Sequence, residues 1–363
     1  MKRDDEYYMQ LALKLALKAK GKTFPNPLVG ALVVKEDKIV GQGFHAKAGL
    51  AHAEIIALDQ AGNQAKKATL YVTLEPCAHT GKTPPCVNRI IQSGVKEVVV
   101  GMIDPNPLNN GKGIMLLKQS NIKVRVGVLA DQLGLINENF IKYITTGLPL
   151  VTVKVGQSLD GRIATYSGDS KWITSDKSRA YAHKIRKDYA AIMVGVNTVM
   201  RDNPRLNAWF SKQQPIKIIV DSNLSTPENA NIFADNSQVI IITLPSRPGQ
   251  ETDNRKRLFE KAKVIEVKEK FGQINLRDAL RKLSRLKIAD ILVEGGGTLI
   301  GSLFDEKLVD KVLFFISPKI IGGKDAVSSV MGKGVKRVDQ AIKLRDIKFK
   351  HFAEELLVQA NIK

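Results

Sequence analysis

Both cysteines of this 363-residue chain, Cys77 and Cys86, lie close together and follow a His-Ala-Glu triplet that begins at His52. One imidazole and two thiolates supply three ligands of a tetrahedral zinc and leave the fourth position for water, as in a catalytic zinc site. The apolar and turn patterns predict that His52 and Cys86 begin helices and that Cys77 follows a strand. The chain must therefore adopt a fold in which two helix starts and one strand end meet.

The acidic residue of the triplet, Glu54, is too close to His52 in sequence to be a second ligand from the same helix face, so it is free to move protons. His-x-Glu followed by Pro-Cys-x-x-Cys is the signature of zinc nucleobase deaminases, in which the glutamate is the proton shuttle. The set therefore indicates a hydrolytic deaminase, although here eight residues separate the cysteines. Glu75 and His79 are predicted to hydrogen-bond the zinc ligands.

Two other interpretations of the cysteines stay open. A disulfide requires an oxidising compartment, but the charged N-terminus, residues 1–6, leads into an amphipathic pattern rather than a signal-peptide core. A structural zinc would need a fourth protein ligand, for which His79 is the nearby candidate. The open position and the nearby Glu54 favour the catalytic interpretation.

Length, hydropathy and charge limit the class of protein. A length of 363 residues predicts two domains, and no apolar run approaches the roughly 20 residues of a membrane span. We expect a cytoplasmic protein without a membrane partner. The net charge of +20 would suit nucleic acid, but no Lys/Arg block accompanies it, and phosphorylated small molecules also require a basic site.

Strands and helices alternate in the first part of the chain, which indicates a three-layer α/β domain. Predicted helices cover residues 4–20, 52–61, 86–93 and 112–120, and predicted strands cover residues 28–34, 39–41, 69–74, 95–101 and 122–126. Periodicity lapses over residues 139–149, where Gly147 and Pro149 interrupt the pattern. We therefore predict two domains, residues 1–146 and 147–363.

A second α/β set follows. Its predicted strands cover residues 150–155, 191–195, 216–220, 238–243, 290–293 and 311–316, its predicted helices cover residues 176–188, 276–286 and 298–304, and residues 245–255 are a predicted surface loop. Three glycines at 295–297 follow a strand, where backbone N–H groups can approach a phosphate, although a plain tight turn fits them as well. Glu294 would face the same crevice. His183 and His351 have no cluster around them and are predicted surface or packing residues.

The loop between the cysteines, Pro-Cys-Ala-His-Thr-Gly-Lys-Thr-Pro-Pro-Cys at 76–86, resembles the deaminase domain of the bifunctional riboflavin-biosynthesis deaminase/reductase family. Pro-Asn-Pro-Leu-Val-Gly at 25–30, Gly-Phe-His at 43–45 and Asp-Pro-Asn-Pro at 104–107 match the family as well. The resemblance implies a cytidine-deaminase-like three-layer domain that removes the 2-amino group of a phosphorylated diaminopyrimidinone ribotide.

The same resemblance assigns roles in the first domain. It implies one zinc per deaminase domain, bound by His52, Cys77 and Cys86, with Glu54 as the acid/base. Asn26 and His45 would line the pyrimidine pocket, although each could also be an ordinary turn residue.

The second part resembles the reductase domain of that family through Ser-Leu-Asp-Gly-Arg at 158–162, Ser-Lys-Trp-Ile-Thr at 170–174 and Asp-Asn-Pro-Arg-Leu at 202–206. The resemblance spans about residues 6–323 and implies a dihydrofolate-reductase-like α/β fold that uses NADPH to reduce the ribosyl group to a ribityl chain. The implied NADPH contacts are Gly156, Trp172, Thr198, Asp202 and a loop of Gly296, Gly297, Thr298, Leu299, Ile300, Gly301 and Ser302. The implied substrate contacts are Ser170, Arg186, Leu206 and Glu294.

Three polar groups are expected near the reacting atoms of the reductase: Lys154, Asp202 and Glu294, of which Lys154 and Asp202 are the predicted catalytic residues. The alternative is that they form ordinary salt bridges at strand ends.

One position departs from the family pattern. After Leu206-Asn207-Ala208 the family has an arginine for the substrate phosphate, whereas this chain has Trp209. An indole cannot pair bidentately with a phosphate as a guanidinium does. We hypothesise that Arg205 or Arg186 binds the phosphate instead, or that phosphate binding is weaker.

The sequence therefore predicts a bifunctional enzyme of riboflavin biosynthesis, a hydrolase and an oxidoreductase, that acts on a phosphorylated pyrimidine ribotide, forms a homo-oligomer and does not bind nucleic acid. The rival is a tRNA- or DNA-editing deaminase with an accessory domain, which the net charge would suit. A third alternative is a non-catalytic scaffold stabilised by zinc.

Overall fold

The computed structural model describes residues 4–79, 84–209, 211, 214–246 and 253–363. It divides the chain into two compact units, Met1–Gly147 and Leu148–Lys363, called here the N-terminal and the C-terminal unit. Within the described ranges, no helix combines the length and the apolar character needed to cross a membrane.

The N-terminal unit is built on a five-stranded sheet. Its strands are β1 (Gly30–Lys35), β2 (Lys38–Phe44), β3 (Thr69–Leu74), β4 (Glu97–Met102) and β5 (Lys123–Val126). Its helices are α1 (Asp5–Leu17), α2 (Ala53–Ala61), α3 (Cys86–Ser93), α4 (Lys112–Gln119), α5 (Ala130–Ile136) and α6 (Glu138–Thr146), and Gly62–Ala65 is a 3-10 turn. The sheet order is β2-β1-β3-β4-β5; β1 is antiparallel to both neighbours, and β3, β4 and β5 are parallel.

Helices cover both faces of this sheet because successive strand residues point to opposite sides. In β1, Ala31 and Val33 pack in a core with α2, α3 and α4. Leu32 and Val34 point the other way, into a core with α1 and α5. The predicted three-layer α/β arrangement is confirmed.

Two glycines of β2 bring α2 onto the sheet. A Cβ at Gly41 would lie 2.1 Å from the carbonyl oxygen of Ala57, and one at Gly43 would lie 2.4 Å from that of Ala53. Only a residue without a side chain permits this approach. The contact fixes the first turn of α2, which is where Glu54 lies.

The C-terminal unit is also an α/β structure. Its strands are β6 (Leu150–Ser158), β7 (Arg162–Ala164), β8 (Ala191–Gly195), β9 (Ile216–Val220), β10 (Val239–Thr243), β11 (Lys263–Glu266), β12 (Glu269–Lys270), β13 (Gln273–Ile274), β14 (Asp290–Val293), β15 (Lys311–Ser317), β16 (Val327–Ser328), β17 (Leu344–Phe352) and β18 (Glu355–Ile362). Its helices are α7 (Asp176–Arg186), α8 (Val196–Asp202), α9 (Asp253–Lys261), α10 (Leu276–Arg285) and α11 (Gly297–Asp305), and Asn231–Phe233 and Val338–Gln340 are 3-10 turns.

A nine-stranded sheet runs through this unit in the order β11-β10-β9-β8-β14-β6-β15-β18-β17. The strands from β11 to β15 are parallel, and β18 and β17 continue the sheet antiparallel. In the parallel register Val293 of β14 pairs with Val153 of β6. Glu294, the residue after β14, and Lys154 of β6 therefore come side by side at the carboxyl end of β14, the edge of an open α/β sheet at which ligands bind.

The predicted boundary region, residues 139–149, is not irregular. Helix α6 covers Glu138–Thr146 and ends at Gly147, whose φ of 69° is left-handed. Phe140 is the one fully buried residue of α6, and the glycine and proline just after the helix, Gly147 and Pro149, favoured an irregular stretch in the prediction.

The predicted surface loop at 245–255 is only partly a loop. Residues 247–252 lie outside the described residues, but α9 begins at Asp253 and buries Arg255. The start of α9 was not predicted because this stretch is polar and lacks the apolar spacing that indicates a helix.

Gly301 in α11 gives a test of packing. A Cβ on Gly301 would lie 1.6 Å from the carbonyl oxygen of Met331. We expect Gly301→Ala to lower the free energy of unfolding by about 1–3 kcal/mol, because the backbone at Met331 must move. Urea unfolding measures this change.

Gly134→Ala is the matched control, since Gly134 lies in α5 with nothing within 4 Å of its Cβ position. Alanine is a better helix former than glycine by roughly 1 kcal/mol, so this variant should be neutral or more stable. Equal losses of stability in the two variants would contradict the packing argument.

Candidate active sites

Three potential metal ligands converge in the N-terminal unit. His52 is the N-cap of α2, Cys86 is the first residue of α3, and Cys77 follows β3. The Nδ1 atom of His52 lies 3.1 Å from Cys86 Sγ and 3.7 Å from Cys77 Sγ. All three donor atoms lie within 4.8 Å of one another. The structure thus brings together the three predicted ligands.

The donor set fits zinc. Zinc bonds of ordinary length in tetrahedral geometry would separate the nitrogen from each sulfur by about 3.6 Å, close to the observed spacing. A hydrogen bond from Cys86, helped by His52, lowers the pKa of Cys77 to about 4 against the opposing effect of burial. No fourth His, Cys, Asp or Glu joins this group within the described part of the chain, so His79 is not a fourth ligand there. The set is that of an open site, as catalysis requires.

Glu54 lies beside this group in the first turn of α2, and only 3% of the surface of Glu54 is exposed. Burial raises the pKa of the Glu54 carboxyl, while the charge of His52 partly opposes that shift. A buried carboxyl with a raised pKa can accept a proton and return it during one reaction.

His45 packs against the ligand His52, and Asn26 hydrogen-bonds His45. His45 Nδ1 lies 3.1 Å from the carbonyl oxygen of Ala51, to which it donates, so its Nε2 accepts from Asn26 Nδ2 at 3.0 Å. Burial lowers the pKa of His45, and its ring packs edge-on against His52 with centroids 5.3 Å apart. This pairing leaves the side-chain oxygen of Asn26 as an acceptor.

The expectation that Glu75 supports a zinc ligand is wrong. Its two carboxylate oxygens accept backbone N–H bonds of 2.9–3.3 Å, and the donors are Asp104, Gly111, Gly113 and Ile114. Glu75 therefore fixes the start of α4 and the loop before it. Glu75 is close to Cys77 in sequence, but its carboxylate points to the start of α4 instead of to the zinc ligands.

An ion cluster occupies the predicted reductase site in the C-terminal unit. Glu294 accepts from Lys154 Nζ at 3.2 Å and from Arg186 Nε and Nη2 at 2.5 and 2.8 Å. The Glu294 side chain is 3% exposed. Burial alone would raise the pKa of Glu294, but Arg186 and Lys154 lower it to about 2. The carboxylate is therefore ionised and holds both cations in place.

Other predicted residues meet near the ends of β6 and β14. Ser170 Oγ donates to Asp202 Oδ1 at 3.3 Å. Thr198 lies against the glycine turn, since a Cβ at Gly295 would lie 3.1 Å from its hydroxyl oxygen. Gly156 lies against Thr174, since a Cβ at Gly156 would lie 3.3 Å from the Thr174 methyl group. These contacts connect β6 to the segment 170–174, that segment to α8, and α8 to the turn after β14.

Trp172 is exposed, at 61% of its surface, and contacts two basic residues, one through its ring and one through its backbone. The Arg179 guanidinium lies 4.0 Å from the centroid of the indole. Lys319 donates to the Trp172 carbonyl oxygen at 2.7 Å. The indole is thus a positioned aromatic surface next to basic side chains.

The predicted loop at 296–302 is mostly helix. Gly296 has a φ of 77°, which favours glycine, and α11 begins at Gly297. Leu299 and Ile300 are buried in the core of the unit, and Gly301 packs on Met331. The exposed Thr298 and the N–H groups of the first turn therefore remain as the parts that can meet a ligand.

His183 corrects another prediction, because it does belong to a cluster. Its ring stacks on Trp209 with centroids 3.7 Å apart and planes at 10°. Arg186 Nη1 lies 3.0 Å from His183 Nδ1 and donates to it. The signal available in the sequence was the spacing of His183 and Arg186, three residues apart on one helix face.

Two neighbouring predicted substrate contacts differ in exposure. The side chain of Leu206 is buried, whereas that of Arg205 is exposed.

Two family models match this chain. One, described as "RibD C-terminal domain", matches residues 149–358. The other, described as "Cytidine and deoxycytidylate deaminase zinc-binding region", matches residues 2–102. The two matches separate the zinc-ligand group from the Glu294 cluster.

Similar proteins match over nearly the whole chain. The riboflavin biosynthesis protein RibD of Aquifex aeolicus is 44% identical, covering 98% of this chain and 97% of its own length. That of Escherichia coli K12 is 36% identical, covering 97% and 98%. A structure of Acinetobacter baumannii RibD superposes with a TM-score of 0.84 at 35% identity and covers 99% of both chains. A diaminohydroxyphosphoribosylaminopyrimidine deaminase/5-amino-6-(5-phosphoribosylamino)uracil reductase of Thermotoga maritima gives a TM-score of 0.82 at 36% identity, covering 99% and 98%.

Proposed function

The chain belongs to the RibD family of riboflavin-biosynthesis enzymes, which join a zinc-binding deaminase to a reductase, and on that premise we propose how its residues perform the two reactions. The family resemblance, the α/β fold class and the bifunctional activity predicted from the sequence are confirmed. The observation that carries the deaminase assignment is the buried Glu54 beside a group of one imidazole and two thiols.

The deaminase substrate is 2,5-diamino-6-ribosylamino-4(3H)-pyrimidinone 5′-phosphate. His52, Cys77 and Cys86 would hold the zinc ion, which as a Lewis acid would lower the pKa of a bound water molecule. Glu54 takes one proton from the attacking water and gives it to a ring nitrogen, then takes the second proton from the newly added hydroxyl group and gives it to the amino group, which leaves as ammonia. The side-chain oxygen of Asn26, oriented by His45, accepts a hydrogen bond from the pyrimidine.

The reductase acts on the deaminated product. When bound, NADPH would supply the hydride that C1′ of the ribose receives. The C1′–O4′ bond breaks, and the Lys154 ammonium, held by Glu294, gives a proton to O4′ to form the ribityl chain. Ser170 contacts the substrate, and Asp202, which is hydrogen-bonded to Ser170, contacts the cofactor. Trp172 and the first turn of α11 also bind the cofactor. The ordered ion cluster at Glu294 supports this assignment.

A coupled assay tests the two activities on one sample. We expect ammonia release from the diaminopyrimidinone ribotide, one zinc per chain, and NADPH oxidation that follows deamination. Because the chain has two tryptophans, Trp172 and Trp209, NADPH should quench fluorescence in the wild type and in Trp209→Phe but not in Trp172→Phe.

The rival functions give other results. A nucleic-acid editing deaminase would bind RNA in a salt-sensitive manner and leave tryptophan fluorescence unchanged by NADPH. A zinc scaffold would release no ammonia. Either outcome contradicts the proposal.

A further inference from the structure

Asn109 lies in the loop before α4, and its side chain reaches back to the segment after β3 that carries Cys77. Asn109 is fully buried. Its Nδ2 donates to the carbonyl oxygen of Pro76 at 3.3 Å, and its Oδ1 accepts from the N–H of Ala78 at 2.9 Å. One side-chain amide therefore hydrogen-bonds the backbone on both sides of Cys77.

The orientation of this amide is determined by its partners. Asn109 Nδ2 also donates to Asp104 Oδ2, at 3.2 Å. A carbonyl oxygen and an ionised carboxylate can only accept hydrogen bonds, so the NH2 group must face Pro76 and Asp104. The amide oxygen then faces the N–H of Ala78. A flipped amide would lose all three bonds, so Asn109 has a single favourable orientation.

The loop that carries Asn109 is itself fixed at both ends. Glu75 accepts from the backbone N–H of Asp104 at 3.1 Å and from that of Gly111 at 2.9 Å. The Glu75 carboxylate therefore binds residues 104–111, and Asn109 in turn binds the segment that follows Glu75. Because the two connections run in opposite directions, the loop and the segment cannot shift independently, and Asn109 is a fixed support.

Of the three potential zinc ligands, Cys77 depends most on such a support. His52 and Cys86 lie at helix starts, where the helix fixes their backbone. Cys77 lies in irregular backbone after β3. The N–H of Cys86 donates to Cys77 Sγ, and that of Val87 donates to the Cys77 carbonyl oxygen, both at 3.3 Å. Asn109 adds two bonds to the neighbours of Cys77 and so restrains the direction of its side chain.

We propose that Asn109 is a positioning residue of the zinc site, which places the Cys77 thiolate and so raises the affinity for zinc without touching the metal. The inference rests on the proposed deaminase site. Residues that orient a metal ligand contribute about 10- to 100-fold to metal affinity. Without the amide of Asn109, the backbone at Pro76 and Ala78 is less restrained. The thiolate must then be ordered when the metal binds, which costs affinity.

The test is the zinc dissociation constant of Asn109→Leu, measured by competition with a chromophoric chelator. Leucine has the branching of asparagine but makes none of its hydrogen bonds. We expect the dissociation constant to rise by about 10- to 100-fold. Binding of Co²⁺, followed by its visible absorption, should weaken as well, because the same three side chains would bind it.

Asn137→Leu is the matched control, since Asn137 is 1% exposed and also bonds the backbone of the N-terminal unit. Its side chain accepts from the N–H of Leu28 at 2.7 Å and donates to the Leu28 carbonyl oxygen at 3.1 Å. Leu28 does not adjoin a zinc ligand in sequence. Asn137→Leu should therefore lower the urea midpoint of the zinc-free protein, as Asn109→Leu does, but keep the wild-type zinc dissociation constant.

Two results would overturn the inference. One is a wild-type zinc dissociation constant in Asn109→Leu. The other is an equal loss of zinc affinity in Asn137→Leu, which would assign the effect to general stability. If Asn109→Leu does not fold, Asn109→Ser is measured against the same two results, because serine suits a loop but is too short to bond Pro76 and Ala78 together. A wild-type protein that binds no zinc would instead overturn the proposed deaminase site, and this inference with it.

Discussion

Replacing Glu54 with glutamine is expected to lower deaminase turnover by about 10²- to 10⁴-fold, the usual contribution of a positioned acid/base. The side chain keeps its shape but can no longer take a proton from water. Because Glu54 is not one of the three potential ligands, the zinc content per chain should stay unchanged. Ammonia release measures the first quantity, and metal analysis of the same sample measures the second.

Two controls make this result specific. Glu6→Gln changes an exposed carboxylate on α1 and should keep full deaminase activity. The reductase of Glu54→Gln, supplied with the deaminated pyrimidine, should oxidise NADPH at the wild-type rate. If Glu54→Gln kept more than about a tenth of wild-type turnover, Glu54 would not be the proton shuttle.

Glu294→Gln is expected to destabilise the C-terminal unit by about 3–5 kcal/mol and to abolish reduction. The change leaves Lys154 and Arg186, whose side chains are 16% and 10% exposed, without their counter-charge. Removing one member of a buried ion pair costs this much because the remaining charge is neither paired nor hydrated. Urea unfolding and NADPH oxidation measure the two effects.

Glu354→Gln is the matched control, since Glu354 is exposed in the turn between β17 and β18. It should leave both stability and reduction unchanged. Deamination by Glu294→Gln should also persist, because Glu294 lies in the other unit. Similar unfolding midpoints for the two variants would show that the ion cluster contributes little to the fold.

The same carboxylate predicts a pH dependence of stability. Burial opposes ionisation of Glu294, but Arg186 and Lys154 lower its pKa from the usual 4.5 to about 2. A folded-state pKa below the unfolded-state value means that the group stabilises the fold above about pH 4.5 and that this contribution is lost as the pH falls towards 2. The stability difference between wild type and Glu294→Gln should therefore shrink over that range. A difference independent of pH would contradict the assignment.

The zinc-ligand group could be predicted from sequence because each part of it is local. Cys77 follows a strand, and His52 and Cys86 begin helices, so local sequence patterns are enough to place all three residues at the ends of neighbouring elements. The observed starts of α2 and α3 agree with that pattern.

Other features escaped prediction for stated physical reasons. Helix α6 was predicted as an irregular boundary because Gly147 and Pro149 follow it directly. The glycines at 295–297 fitted either a phosphate-binding turn or a plain tight turn, and the structure shows a turn that leads into α11 at Gly297, close to the predicted helix start. Glu75 is adjacent to Cys77 in sequence, yet its oxygens bind backbone N–H groups at α4.

By itself, the sequence determined the family, the two activities and the three residues that converge in the N-terminal unit, because motifs with fixed spacing depend on short stretches of chain. Only the tertiary structure decided what Arg186 and His183 do, since Glu294 and Trp209 reach them from distant parts of the chain. The sequence shows only that residue 186 is an arginine. The structure shows that most of its N–H groups already donate to other protein groups, which changes what the guanidinium can bind.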